Sequence, residues 1–229
     1  MYNRLLTRDD ISVFSEIIQK EKYSEKGFRH KDGLWNVPAG YVKWMSVLEE
    51  FKSLNRTNLK VIELGPGTGV VPHIIASWGN DVTGIDIVMV ENWCPKNLIR
   101  TVIGDAILEL KEMEEETVDV VTDLCAVHEF NSKTNSKYKN IGLKEVADQI
   151  YRVLKPGGKF LTSTDVSLVY PCPQPGGFVP PEDLIEIVES SGLKLTSSYK
   201  KEYEQSEYNP IYQPAVGLHI GTFSFEKPE

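Results

Sequence analysis

Val61-Ile62-Glu63-Leu64-Gly65-Pro66-Gly67-Thr68-Gly69-Val70 decides the fold: an apolar, β-branched run breaks into a glycine-rich turn and resumes as a helix. Gly65 and Gly67 carry no side chain where the backbone must turn sharply and approach a ligand closely. The helix predicted from Val70 to Trp78 presents its free N–H groups and partial positive charge to that turn, which suits an anionic ligand group. Asp86 lies 21 residues beyond Gly65, at the end of a second predicted strand. A carboxylate at that distance can accept the hydrogens of both ribose hydroxyls, or it can cap a short helix.

Outward from this stretch the chain alternates short apolar runs with helical ones. Strands are predicted at Val61–Leu64, Val82–Ile85, Ile99–Val102, Val118–Leu124, Lys159–Ser163, Lys194–Ser198 and Ile220–Phe225, most of them β-branched or aromatic and bounded by Gly, Asn or Asp. Leu143, Val146, Ile150, Val153 and Leu154 form one helical stripe, stopped by Lys155-Pro156-Gly157-Gly158. Leu184, Ile187 and Val188 form another, opened by Pro180-Pro181 and closed at Gly192. Such alternation implies a mostly parallel sheet covered on both faces, a doubly wound α/β fold.

The first 57 residues read as a helical cap or lid, and residues 58–229 as the main domain, the two forming one compact unit. Asp9 or Asp10 caps a segment whose Ile11, Phe14, Ile17 and Ile18 share a face; Tyr41, Met45, Leu48 and Phe51 mark a second. Asn131–Asn140, Val166–Pro180 and Lys201–Leu218 read as long loops after late strands, where a ligand pocket is readily built.

Composition narrows the function. With 41% hydrophobic residues in 229, the chain can bury the core of one α/β domain. A net charge of −8 disfavours nucleic acid and other polyanions, which call for a basic footprint. No apolar run is long enough for a membrane span, and no secretory h-region follows Met1-Tyr2-Asn3-Arg4. Cys94, Cys125 and Cys172 lack metal or disulfide spacing, so no metal site and a cytoplasmic location are expected.

Two cofactors use a glycine turn of this kind. The dinucleotide fingerprint needs glycine at its sixth place, where this chain has Val70; its third glycine, Gly69, comes one position early. Glu63-Leu64-Gly65-Pro66-Gly67-Thr68-Gly69 instead resembles motif I of the class I S-adenosylmethionine-dependent methyltransferases. Further segments resemble that family in order. They are Gly84-Ile85-Asp86-Ile87, Gly104-Asp105-Ala106, Val118 to Asp123, Leu154-Lys155-Pro156-Gly157-Gly158-Lys159-Phe160, and Phe178-Val179-Pro180-Pro181-Glu182-Asp183-Leu184 through Gly192-Leu193, the last as in small-molecule members. Residues 88–98, with Asn92-Trp93-Cys94-Pro95, depart from the pattern, since the usual helix there is truncated or irregular.

The resemblance implies strand order 3-2-1-4-5-7-6 with the last strand antiparallel, and S-adenosylmethionine as cofactor with S-adenosylhomocysteine as product. It implies a cofactor site of Glu63, Gly65, Pro66, Gly67, Thr68, Gly69, Asp86, Ile87, Asp105, Ala106, Asp123 and Leu124. Glu63 falls near the methionine amino end, Ile87 over the adenine and Asp105 at its edge. Asp105 and Thr68 also suit helix caps.

Asp123-Leu124-Cys125-Ala126-Val127-His128-Glu129-Phe130-Asn131 lacks an Asn-Pro-Pro-Tyr motif and resembles the His-Asp-Trp segment of small-molecule O-methyltransferases. His128 then stands as general base or as a pocket-lining residue, oriented by Glu129 or Asp123. Phe28, Trp35, Tyr41, Tyr170, Phe178, Tyr203, Tyr208 and Tyr212 are candidates for an aromatic lid. The expected acceptor is a small molecule, with aromatic and hydroxylated compounds in view for O- or N-methylation. A protein or peptide methyltransferase and a non-catalytic cofactor-binding partner are the alternatives. The oligomeric state is not readable.

Overall fold

The computed structural model describes residues 46–67, 69–87, 98–124, 126–130, 142–167, 180–202 and 218–229. The predicted segments in residues 1–45 and the lid aromatics lie outside them. So do residues 88–97, where the sequence departs from the family pattern.

Seven strands form one sheet: β1 (Lys60–Leu64), β2 (Asp81–Asp86), β3 (Ile99–Ile103), β4 (Val118–Leu124), β5 (Leu154–Ser167), β6 (Lys194–Glu202) and β7 (Leu218–Glu226). Their order is β3-β2-β1-β4-β5-β7-β6. The first five run parallel, and β7 is antiparallel to both neighbours. The helices are α1 (residues 46–53), α2 (Val70–Ser77), α3 (Ala106–Glu112), α4 (Val127–Phe130), α5 (Leu143–Val153) and α6 (Pro181–Glu189).

Alternation along the strands splits the core in two. Val61, Val82, Val120 and Leu161 pack against Val47, Leu48 and Phe51 of α1 and Val71, Ile74 and Ile75 of α2. Ile62, Leu64, Ile85, Val121 and Phe160 pack on the other face against Ile107 and Leu110 of α3, Val146 and Ile150 of α5, and Leu184 and Val188 of α6. The central strands are thus buried on both sides, which is why they read as unbroken apolar runs.

Two elements differ from the sequence reading. Lys155-Pro156-Gly157-Gly158 ends α5 as expected but does not separate it from β5. Leu154 already pairs with Val118, the register then slips, and pairing resumes at Lys159 with Val120. Gly157, at φ +72°, turns the extra residues outward and donates its N–H to the Lys227 carbonyl at 2.8 Å. Helix α3 was hidden by the charge run that begins at Lys111. Its short buried stripe is Ala106, Ile107 and Leu110. Arg152 of α5 fastens the C-terminal end of α3, donating to the Met113 carbonyl at 2.9 Å and the Lys111 carbonyl at 3.2 Å.

Candidate cofactor site

The strand order reverses between β1 and β4, and at that reversal the carboxyl ends of neighbouring parallel strands diverge and leave a crevice for a ligand. Glu63 and Leu64 of β1 lie beside Thr122 and Asp123 of β4, and Leu64 lies beside Ile85 of β2.

The turn after β1 is left-handed at three glycines, with φ +61° at Gly65, +51° at Gly67 and +75° at Gly69. Gly65 donates its N–H to the Ile85 carbonyl at 2.8 Å, and Gly69 closes the turn on the Pro66 carbonyl at 2.7 Å. Gly67 donates its N–H to Asp86 Oδ2 at 3.2 Å, so the turn and the acid predicted to serve one ligand meet directly. Pro66 rests on Gly84, where an added Cβ would stand 2.9 Å from the proline ring. A glycine inside a strand signals such a close approach.

Gly65 has a second constraint. A Cβ there would lie 2.7 Å from the Ala126 Cβ, so the turn after β4 packs onto the turn after β1. Gly65→Ala combines that collision with a left-handed residue, and is expected to cost on the order of 2–3 kcal/mol. Gly67→Ala, whose Cβ would have its nearest neighbour at 3.8 Å, is expected to cost about 1 kcal/mol. Urea denaturation of both variants measures the difference; equal costs would remove the contact from the account.

The acids at the strand ends are in unlike settings. Asp86 is half-buried, and its carbonyl accepts the Gly104 N–H at 2.9 Å, which brings the end of β3 alongside. Asp105 caps α3, its Oδ1 accepting the Ile107 N–H at 2.9 Å, with Ala106 buried behind it. Ile87 is half-buried against the core face of α3. Asp123 is fully buried. Its Oδ1 accepts the N–H groups of Ala126 at 3.0 Å and Val127 at 2.9 Å, and its Oδ2 accepts the Thr162 hydroxyl at 2.7 Å. This carboxylate is taken up by the chain's own donors, so Asp123 acts as a positioning residue for the turn into α4. Leu124 packs toward the α1 and α2 face.

Glu63 is also fully buried, with Oε2 against the Thr122 hydroxyl and Oε1 without a hydrogen-bond partner among the described residues. Burial pushes its carboxyl up to about 8, the Asp123 charge adding to the rise and the Thr122 hydroxyl opposing it. Asp119, at the opposite end of β4, shows what donors do. Burial raises it too, but the Lys155 ammonium at 2.8 Å and the Lys60 N–H at 2.9 Å outweigh that and hold it below its ordinary value.

Thr68 lies outside the described residues. His128 and Glu129 belong to α4, which starts one residue after Ala126, and their side chains lie outside the description. Thr122, Thr162 and Ala126 were missed in the sequence, because hydroxyls and a methyl group in a strand and its turn carry no signal until the register is known. Among the described residues no group of three or more His, Cys, Asp or Glu could hold a metal ion, and no helix is long and apolar enough to cross a membrane.

Residues 62–162, from β1 through the first half of β5, match the family model described as a methyltransferase domain. The chain carries a methyltransferase domain on the class I fold. Solved structures similar to this methyltransferase cover nearly its whole length. Burkholderia thailandensis 1,6-didemethyltoxoflavin-N1-methyltransferase, solved with 1,6-didemethyltoxoflavin and S-adenosylhomocysteine, is 17% identical at TM-score 0.62, covering 99% of this chain and 92% of that one. The N-methyltransferase NodS from Bradyrhizobium japonicum, in complex with S-adenosylhomocysteine, is 15% identical at TM-score 0.63, covering 95% and 99%. The 4+2 cyclase SpnF is 14% identical at TM-score 0.65, covering 95% and 92%. No curated protein matches the sequence. The methyltransferase takes S-adenosylmethionine as its cofactor, and the site fits that molecule. A turn left-handed at three glycines, the Asp86 carboxylate in contact with that turn and a buried Glu63 oxygen with no partner among the described residues lie together at one sheet reversal.

Proposed function

We propose that this chain methylates a small-molecule acceptor, aromatic or hydroxylated, above the ends of β1 and β4. The observation that carries the reading is the contact of Ala126 with Gly65, which sets the start of α4, and with it the backbone of His128, against the glycine turn. S-adenosylmethionine supplies, when bound, an electrophilic methyl group on a good sulfonium leaving group. Gly65, Gly67 and Gly69 open the backbone to it, Asp86 accepts the ribose hydroxyls, and Glu63 offers its open oxygen from below. Ile87, Asp105 and Ala106 border the adenine, and Thr68, outside the described residues, is a further candidate contact. Asp123 holds the α4 turn in place, so an acceptor above Leu124 is aligned with the methyl group; alignment is the larger part of catalysis in such a transfer. His128 takes the acceptor proton, with Glu129 orienting it.

The net charge of −8 supports a small acceptor over a polyanion. The toxoflavin enzyme, which shares the fold, was solved with a compact heteroaromatic compound. A screen of hydroxylated and N-heteroaromatic compounds by S-adenosylhomocysteine release tests the proposal. Turnover on peptides with none on small compounds would sink it. With an active acceptor, His128→Ala is expected to lower kcat by about 100-fold or more, with S-adenosylhomocysteine affinity within threefold of wild type. A rise in KM at unchanged kcat would make His128 a pocket wall instead.

A further inference from the structure

We infer that the empty cradle stores a proton on Glu63 and that entry of the ammonium-bearing cofactor expels it to solvent, so that cofactor affinity rises with pH. The inference rests on the cofactor lying in the glycine turn, as proposed above, and on three geometric observations. First, Thr122 Oγ1 faces two acceptors, Glu63 Oε2 and the Ile62 carbonyl oxygen at 3.4 Å. A hydroxyl has one hydrogen to give, so both contacts are hydrogen bonds only when Glu63 supplies the second hydrogen. Second, Asp123 on the neighbouring strand receives three donors while Glu63 receives at most one. Of these two buried acids, one register step apart on opposite faces of the sheet, the negative charge therefore sits on Asp123 and the proton on Glu63. Third, Glu63 Oε1 is sealed from solvent and has no partner among the described residues, which an ionised carboxylate does not tolerate.

Glu63 shares its face of the sheet with Val61 and Val120, toward α1 and α2. The charged and titratable groups of those helices are Glu49, Glu50, Lys52 and His73; Asp123 of β4 lies on the opposite face, where it meets Thr162. The charge that bears on Glu63 is that of Asp123, and it opposes ionisation. Among the described residues no compensating cation bears on Glu63, and a bound ammonium supplies one. On binding, the carboxyl O–H of Glu63 breaks, its proton passes to buffer, and the resulting carboxylate accepts from the ligand N–H. Charge is conserved, and the buried anion gains a cation beside it.

Isothermal titration of the full chain with S-adenosylhomocysteine, in buffers of different ionisation enthalpy, counts the protons exchanged. With the Glu63 carboxyl at about 8, close to one proton per ligand is expected to leave at pH 7. Affinity is expected to rise about tenfold from pH 6 to pH 7, a window below the titration of the ligand amine. Glu63→Gln keeps the shape and a donor toward Thr122, and is expected to release no proton and to flatten the pH dependence. Methylthioadenosine, which lacks the amino-acid group, is expected to bind wild type without proton release. An infrared carboxylic-acid band in the empty wild-type chain, lost on ligand binding, gives a readout that needs no variant. Binding without proton release by wild type, or equal release by Glu63→Gln or with methylthioadenosine, overturns the inference alone. Absence of binding overturns the cofactor site as well.

Discussion

Asp86→Ala is expected to weaken S-adenosylhomocysteine binding by at least ~100-fold while leaving the fold nearly as stable as wild type. The asymmetry follows from what Asp86 holds in the chain and what it is proposed to hold in the ligand. Within the protein its carboxylate accepts the Gly67 N–H at 3.2 Å, a hydrogen bond in an exposed setting. Losing a bond of that kind costs about 0.5–1 kcal/mol. Toward the cofactor it accepts two ribose hydroxyls, each a bond to a charged group worth about 1.5–3 kcal/mol. Their sum, taken at the low end, is already about 3 kcal/mol, or more than a hundredfold in affinity. Asp86→Asn keeps one accepting oxygen and is expected to fall between the two, near tenfold. Titration calorimetry measures the affinities, and urea denaturation checks the fold. Binding by Asp86→Ala within threefold of wild type would place the ribose elsewhere.

That Asp86 was legible before the fold has a simple cause. Its signal is local: a strand end, a fixed interval after a glycine turn, and a carboxylate. The seven strands were readable for the same reason, since β-branched runs bounded by turn residues need no knowledge of their partners. Lys194–Ser198 and Ile220–Phe225 extend to Glu202 and back to Leu218 because β6 and β7 pair with each other through polar residues that no apolar pattern marks. The order of the strands came from a resemblance, since spacing alone leaves the neighbours of β7 open.

What the sequence withheld is the set of contacts made across strands. Glu63 reads as a ligand residue, but its environment depends on Thr122, which is 59 positions away and adjacent through register. Asp123 reads by resemblance as a cofactor-site residue, or as one that orients His128. Thr162 on β5 and the turn back into α4 also hold it, and neither is visible until β4 and β5 are paired. Helix α3 was unread because seven residues with one buried face of Ala106, Ile107 and Leu110 show too little periodicity beside acidic neighbours.

Asp123 also carries the largest expected effect on stability. Asp123→Ala removes the acceptor of the Ala126 and Val127 N–H groups and of the Thr162 hydroxyl. Each buried donor left unsatisfied costs about 1–3 kcal/mol. The total for three donors, about 3 kcal/mol even at the low end of that range, is a large share of what holds a domain folded. Asp123→Asn separates geometry from charge. Its oxygen can still accept from Ala126 and Val127, and its amide can donate to Thr162, whose hydroxyl accepts as readily as it donates. It is expected to cost about 1 kcal/mol, read as a shift in the urea midpoint with the slope unchanged. The same substitution removes the negative charge that helps raise Glu63. The Glu63 carboxyl should then ionise at lower pH, and less than one proton should leave on cofactor binding at pH 7. A folded Asp123→Asn chain that releases as many protons as wild type would show that desolvation alone keeps Glu63 neutral. An Asp123→Ala chain within about 1 kcal/mol of wild type would mean that water reaches the turn before α4 and satisfies its donors.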